Sequence, residues 1–325
     1  MNSNIHVMAK PTGAQCNIDC SYCFYLEKEK LYPNSSSRMS KNTLELYVKQ
    51  YIEAQGSGDV NFTWQGGEPM LMGIDFYRQA IAYQLKYAGN KRVTNSFQTN
   101  AIGLDNEWAS FLTQEQFLVG VSIDGTEEMH DHYRVDKGGK PTWDKVMRGI
   151  ESLKTHGTEF NTLTVLNNYN TKYPEELYYF LTRQLGSRFL QFIPIVERIG
   201  HDLKDTDLAL VEPKFGSNAT VTDWSVDAKE YGEFLCTIFD QWYETDISHY
   251  FVQFFDVILA GYLTERPTLC DFAKTCGDAM VIEHNGDLYS CDHFVYPGYN
   301  LGNIKEKTIK DMSNSTEQRK FGNDK

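Results

Sequence analysis

Residues 14–25, Ala-Gln-Cys-Asn-Ile-Asp-Cys-Ser-Tyr-Cys-Phe-Tyr, place Cys16, Cys20 and Cys23 in a C-x3-C-x2-C array inside one short loop. Three thiolates that close in sequence can hold a [4Fe–4S] cluster through three of its irons. Such clusters are usually held by four cysteines, so this array leaves one iron open to a small molecule. An open iron suits chemistry better than electron storage. The competing reading is a structural zinc knot, which wants four Cys or His ligands. His6 is the nearest candidate fourth ligand, but it falls in a predicted strand at the wrong spacing.

Working outward, 325 residues exceed one ordinary domain and suit a single α/β barrel with an appendage. A hydrophobic content of 41% is enough for a sizeable core, and the net charge of −13 argues against a general nucleic-acid binder, since phosphate binding needs a Lys/Arg surplus. No apolar run reaches membrane-spanning length, and the first residues lack a signal-peptide pattern. The expected location is the cytoplasm, with no membrane partner. Seven cysteines in that setting point to metal binding or catalysis before disulfides. Cys236 stands apart in an apolar helical run and reads as a small buried hydrophobe.

The chain alternates strands and helices from its start. Strands are expected at Asn4–Lys10, Val60–Trp64, Val93–Thr99, Phe117–Asp124, Phe160–Leu166 and Phe189–Val196. Helices are expected from Ser40, as N-cap, to Ala54, and near Ile74–Tyr87, Asp105–Thr113, Trp143–His156 and Pro174–Leu185. Near-continuous apolar strands alternating with helices imply a buried parallel sheet with right-handed crossovers. In βα barrels functional residues gather at the C-terminal strand ends. The cysteine loop, Gly66-Gly67-Glu68 and Ser122-Ile-Asp124 all fall there. Residues 198–226 show no period and read as a loop. Helices near Val226–Glu244 and Phe251–Leu263 follow, then Cys270, Cys276 and a hairpin over Met280–Cys291. Its Asn285-Gly286 pair predicts a type I′ turn, and the tail reads as polar with no closing element.

C-x3-C-x2-C followed by an aromatic residue resembles the signature of radical S-adenosylmethionine (SAM) enzymes. That resemblance implies a partial (β/α)6 barrel in which SAM chelates the open iron and is cleaved to a 5′-deoxyadenosyl radical. Cys276-x9-Gly286-x4-Cys291 resembles the opening of the SPASM domain, a carrier of auxiliary iron–sulfur clusters, and Cys270 adds a third thiolate. Cys-Ser-Tyr-Cys-Phe-Tyr, Trp-Gln-Gly-Gly-Glu-Pro, Gln98-Thr-Asn, Phe-Leu-Val-Gly-Val-Ser-Ile-Asp-Gly, Phe-Leu-Gln-Phe-Ile and Tyr289-Ser-Cys-Asp-His-Phe together resemble the anaerobic sulfatase-maturating enzymes, over about residues 5–315. Those enzymes oxidise a cysteine or serine in a C-x-P-x-R or S-x-A-x-R segment of a sulfatase to formylglycine. A radical core over 1–226 and an incomplete SPASM-type extension over 227–325 are expected.

The resemblance also implies roles. Cys16, Cys20 and Cys23 would hold the SAM cluster, and Cys270, Cys276 and Cys291 an auxiliary one. Tyr22 would lie beside the adenine, and Gly66, Gly67 and Glu68 would meet the SAM amino group. Ser122 would face the ribose, Arg134 the SAM carboxylate, and Val196 an apolar part of SAM. Asp292 would be the proton-accepting base, with Tyr25 either facing the site or packing beside it. An external electron donor such as a flavodoxin or ferredoxin is implied. One departure stands out: the five further cysteines of the family's C-terminal region have no counterpart here, so the auxiliary ligand set is incomplete. Two other readings use the same residues, a SPASM-type modifier of a different peptide and a SAM- or peptide-binding form without turnover.

Overall fold

The computed structural model describes residues 5–325 apart from 57, 205–206, 213, 217 and 265–268. Its first strand, β1 (His6–Lys10), runs straight into the cysteine loop, and the predicted start at Asn4 lies outside the described residues. There follow α1 (Lys41–Ala54), β2 (Val60–Trp64), α2 (Ile74–Tyr87), β3 (Val93–Thr99), α3 (Asn106–Gln114) and β4 (Leu118–Ser122). Then come α4 (Glu127–Asp131), α5 (Trp143–Thr155), β5 (Phe160–Leu166), α6 (Pro174–Tyr179) and β6 (Phe189–Pro194). Strands β1 to β6 pair in sequence order and all in parallel, which is the open barrel that the alternating pattern predicts.

The helices form where local chemistry directs them. Ser40 caps α1 by accepting from Thr43 N at 3.1 Å, a contact worth about 1 kcal/mol. The buried face of α1 then clamps two strands through hydroxyls: Tyr47 donates to Val7 O at 2.8 Å and Tyr51 to Asn61 O at 3.0 Å. Leu44, Val48, Tyr47, Trp64, Tyr77 and Phe97 pack into one continuous core beneath the site. The helix predicted over Pro174–Leu185 does form, but after Tyr179 it widens into a π turn over Phe180–Gln184.

The chain after β6 departs from expectation in four places. Residues 198–226 are not merely a loop, because β7 (Arg198–Gly200) and β8 (Ala219–Val221) pair antiparallel as a small ribbon. Glu27 pins this segment by accepting from Ala209 N at 2.7 Å and Leu210 N at 2.8 Å. Helix α7 (Ala228–Gln241) leads to a two-residue strand, β9 (Phe251–Val252), which extends the sheet beyond β6, and then to α8 (Gln253–Thr264).

The predicted hairpin is β10 (Ala279–Glu283) with β11 (Asp287–Tyr289), but its turn is not type I′. The register sets Val281 against Tyr289 and Ile282 against Leu288, leaving a three-residue loop in which Gly286 alone has positive φ, at 100°. That is the signature of a type I turn followed by a glycine bulge. The polar tail also closes the molecule, through β12 (Asn300–Asn303), α9 (Ile309–Ser313) and α10 (Thr316–Asn323). Ser315 caps α10, and Gln318 donates from it to Gly277 O at 2.7 Å and Ser290 O at 3.1 Å. The hairpin is continuous with the barrel, since β10 pairs in parallel with β1 over five residue pairs from His6↔Ala279 to Lys10↔Glu283.

Candidate active site

The C-terminal ends of the parallel strands surround a cavity of about 280 Å³. Cys16, Cys20 and Cys23 line it together with Tyr22, Gly66, Gly67, Ser122, Arg134 and Val196. The sequence-predicted SAM positions are thus brought to one wall set, except Glu68, which is buried beneath it. Val196 lies two residues past the end of β6 and is exposed at the rim.

The Gly-Gly-Glu turn holds the cysteine loop in place by backbone contact. Gly67 N donates to Gly13 O at 2.9 Å and Glu68 N to Gln15 O at 2.8 Å. A Cβ on residue 67 would stand 2.0 Å from Gln15 O, so glycine is required by the approach of two main chains. The Glu68 carboxylate is occupied within the protein. It accepts from Met70 N at 3.0 Å, Thr99 Oγ1 at 2.8 Å and Asn100 N at 2.8 Å. Burial pushes its pKa up to about 7, against the pull of those three donors. Its place in the fold is therefore to tie the ends of β2 and β3 under the loop.

Arg134 is buried with Nε 3.0 Å from Asp124 Oδ2. The same oxygen accepts from Tyr22 OH at 2.5 Å, and the guanidinium lies over the Tyr22 ring at 5.5 Å. Arg134 Nη1 points at Cys20 Sγ from 3.9 Å, and Asn100 Nδ2 at Cys16 Sγ from 3.6 Å. Donors aimed at sulfur suit thiolates better than thiols. Burial pushes Cys16 up to about 11 and Cys20 up to about 12, and raises Cys23 as well. Metal binding by these cysteines would release their protons.

Among the described residues no three His, Cys, Asp or Glu side chains are drawn in tightly enough to grip a single metal ion. A [4Fe–4S] cluster spreads its thiolates over separate irons, and three cysteines around one cavity with N–H donors behind them fit it.

On the opposite wall, Lys10 is fully buried at the end of β1. Its ammonium lies 2.6 Å from Asp292 Oδ1, donates to Gln65 Oε1 at 2.8 Å and sits 4.1 Å over the Tyr25 ring. Gln65 in turn donates to Gln98. Burial works against charge on Asp292, but Lys10 and then His293 outweigh it and hold the carboxyl below the usual range. Lys10, Tyr25 and His293 line the cavity, and Asp292 reaches it through Lys10. Tyr25 OH donates to Glu283.

Cys291 immediately precedes Asp292, and burial pushes its thiol up to about 12, with Cys270 and Cys276 near enough to contribute. Cys270 and Cys276 thus lie within electrostatic reach of Cys291. Cys276 is held by α10, where Cys276 N donates to Gly322 O at 3.1 Å. Cys236 on α7 is exposed rather than buried. Lys10 is a site residue that motif reading passed over, while Asn100 and Asp124 fell inside the motifs Gln98-Thr-Asn and Ser122-Ile-Asp124 without an assigned role. A lysine or an asparagine ending an apolar parallel strand of a barrel is the signal that marks Lys10 and Asn100.

Comparison with known proteins agrees with this geometry. The model of the radical SAM superfamily matches residues 11–181, and that of an iron–sulfur cluster-binding domain, SPASM, matches residues 270–325. The chain belongs to the radical SAM superfamily, a class defined by the cysteine loop and open barrel described above. A serine-type anaerobic sulfatase-maturating enzyme of Bacteroides thetaiotaomicron is 46% identical over 98% of this chain and 76% of its own length. A cysteine-type anaerobic sulfatase-maturating enzyme of Clostridium novyi is 35% identical over 98% of this chain and 81% of its own. The solved structure of native anSMEcpe with bound AdoMet and Cp18Cys peptide superposes with a TM-score of 0.85 at 31% identity, covering 97% of this chain and 81% of that one. Within the superfamily, the chain is a member of the anaerobic sulfatase-maturating enzymes. Its cofactors are accordingly SAM and a [4Fe–4S] cluster, with auxiliary cluster binding in the SPASM region. Among the described residues no helix is long and apolar enough to cross a membrane.

Proposed function

We propose that this chain oxidises one serine or cysteine of a sulfatase segment to formylglycine, with S-x-A-x-R the favoured segment. The serine-type relative has the higher identity of the two compared, which favours serine. The observation that carries the reading is Lys10, which lines the same cavity as Cys16, Cys20 and Cys23 and is ion-paired at 2.6 Å with Asp292. Turning a hydroxyl carbon into a carbonyl, or a thiol carbon into a thiocarbonyl that water then hydrolyses with release of hydrogen sulfide, removes one hydrogen atom, one proton and one further electron. When bound, SAM and its cluster supply the hydrogen-atom abstraction.

The protein's own residues supply the rest. Cys16, Cys20 and Cys23 would hold the cluster, and Asn100 and Arg134 point N–H groups at Cys16 Sγ and Cys20 Sγ. Tyr22, Ser122, Arg134 and Val196 bound the SAM side of the cavity, and Gly66 and Gly67 bring backbone against it. Asp292, kept ionised by Lys10, accepts the substrate proton. Cys291 sits next to it in sequence, so the base and the auxiliary cluster ligands Cys270, Cys276 and Cys291 share one short stretch. In this reading residues 1–226 carry the radical chemistry and 227–325 the auxiliary role. A cytoplasmic flavodoxin or ferredoxin supplies electrons.

The test is an anaerobic assay of the reconstituted chain with SAM, a reductant and matched serine and cysteine peptides, read by mass spectrometry and by 5′-deoxyadenosine yield. Formylglycine with 5′-deoxyadenosine is the expected result. Asp292→Asn is expected to keep SAM cleavage and lose peptide oxidation. An unchanged formylglycine yield in that variant would remove Asp292 as the base.

A further inference from the structure

We propose that Glu283, His284 and Ser35 form a proton-exit relay that drains the active cavity, through Tyr25, to the protein surface. The inference rests on the oxidation reading above, in which each turnover leaves one proton in a cavity with buried walls. Tyr25 lines that cavity and donates its hydroxyl to Glu283 Oε1. The other carboxylate oxygen, Oε2, lies 3.2 Å from His284 Nδ1. His284 Nε2 lies 2.6 Å from Ser35 Oγ. Glu283 and His284 are 1% and 3% exposed, whereas Ser35 is exposed. The series runs unbroken from inside to outside: phenol, carboxylate, imidazole, hydroxyl, water.

The fold places this series beside the base. Glu283 ends β10 opposite Lys10 at the end of β1, and Lys10 holds Asp292 while sitting over the Tyr25 ring. Burying a carboxylate and an imidazole side by side costs free energy that an apolar pair would not. A stabilising role alone leaves that choice unexplained, and a path for protons accounts for it.

The hydrogen-bond pattern at the outer end fits export. Ser37 N donates to Ser35 Oγ at 3.1 Å, filling one of its two lone pairs. With the ring as the Nε2–H tautomer, His284 fills the other, and the serine proton faces water. A proton passing from Glu283 to Nδ1 releases the Nε2 proton to Ser35, which gives its own proton to water. One proton enters at Glu283 and one leaves at Ser35, and exchange with solvent, in which Nδ1 loses a proton and Nε2 gains one, restores the tautomer with no further net transfer. A Cβ on Gly13 would stand 2.8 Å from Nδ1, so the glycine leaves that side of the ring clear.

Serine, histidine and a carboxylate in this order also make hydrolytic nucleophiles. Here the second carboxylate oxygen is bound to a tyrosine of the cavity, and the serine oxygen is already receiving a backbone N–H. Both features favour the relay.

The experiment compares the reconstituted wild type with His284→Ala and Glu283→Gln in peptide oxidation, alongside cluster absorbance and SAM binding. Glu283→Gln keeps an oxygen for Tyr25 and cannot pass a proton, so it decides the matter if His284→Ala does not fold. Formylglycine formation is expected to fall about 10²-fold in both, the lower end of what a positioned proton-transfer group contributes, with cluster absorbance and SAM binding unchanged. Imidazoles added to His284→Ala are expected to restore the rate in step with their basicity, which a space-filling role would not do. Unchanged rates in both variants, or rescue blind to basicity, overturn the relay while the oxidation reading stands. Labelling of Ser35 by a fluorophosphonate overturns it in favour of a separate nucleophile. A wild-type chain that makes no formylglycine overturns the oxidation reading and the relay with it.

Discussion

Replacing Gly67 with alanine is expected to empty the SAM-cluster site without unfolding the barrel. The added Cβ would lie 2.0 Å from Gln15 O, 2.3 Å from Gln15 C and 2.7 Å from Ala14 O, all backbone atoms. Real Cβ contacts stay beyond 3.0 Å, so the cysteine loop must retreat by about 1 Å one residue before Cys16. Overpacking of this kind costs about 1–3 kcal/mol. The retreat also weakens Gly67 N→Gly13 O and Glu68 N→Gln15 O, each worth about 0.5–1.5 kcal/mol. Together these come to about 2–6 kcal/mol against a typical total of about 5–15 kcal/mol, so the fold persists while the loop does not. Anaerobic reconstitution followed by iron analysis and far-ultraviolet circular dichroism reads both quantities. The expected result is loss of one cluster's iron and of 5′-deoxyadenosine formation, with helix content retained. Gly232→Ala, in α7 with open space around it, serves as the control and is expected to add about 0.5–1 kcal/mol of stability. A Gly67→Ala protein with full iron and wild-type SAM cleavage would refute the account of the loop.

Three other perturbations follow from the same contacts. Glu68 has its folded pKa raised from 4.5 to about 7 by burial, so the folded chain keeps a proton that the unfolded chain has lost. Its contribution is fully present below about 4.5 and is lost as the pH rises through about 7, by roughly 3 kcal/mol. Urea unfolding of the reduced apoprotein across that range measures it, and Glu68→Gln is expected to flatten the dependence. Asp124→Asn leaves Arg134 buried without its partner and is expected to cost about 3–5 kcal/mol in urea unfolding, so wild-type stability would contradict the pairing. Asn100→Ala removes an N–H pointed at Cys16 and is expected to lower the SAM-cluster reduction potential by some tens of millivolts in an EPR-monitored titration, since that donor stabilises the more negative reduced state.

Much of the barrel was legible because its strands are short runs rich in β-branched and aromatic residues between turn signals. Val60–Trp64, Val93–Thr99 and Phe160–Leu166 match their predicted bounds on that signal, although polar residues interrupt them and buried positions mix with part-buried ones along each. Ser40 and Asp105 mark helix starts by side-chain capping, which is equally local. The features missed depend on partners far away in the chain. Nothing local to Phe251–Val252 identifies a strand, since it exists only by pairing with β6. Thr316–Asn323 carries little apolar periodicity, and α10 is held largely by Gln318 reaching two carbonyls and by Gly322 lying against Cys276. The Asn285-Gly286 pair identified a turn, but its type followed from the register of Val281 and Tyr289, which sequence spacing does not set. In the site, residue types and spacing pointed to the three cysteines. The engagement of Glu68 with Thr99 and Asn100 required knowing that β2 and β3 are neighbours with aligned ends.

The pairing of β10 with β1 has a consequence for synthesis. The first strand to leave the ribosome meets its outer neighbour only when the segment beginning at Ala279 emerges, about 270 residues after His6. At about 5–20 residues per second, that edge stays open for roughly 15–55 s. An open strand edge followed by a loop of three unfilled thiols is exposed both to pairing with other chains and to oxidation. Anaerobic growth and early occupation of the nascent edge by a chaperone would each protect it. The interval between translating β1 and translating β10 is therefore the window in which the nascent chain is open to both.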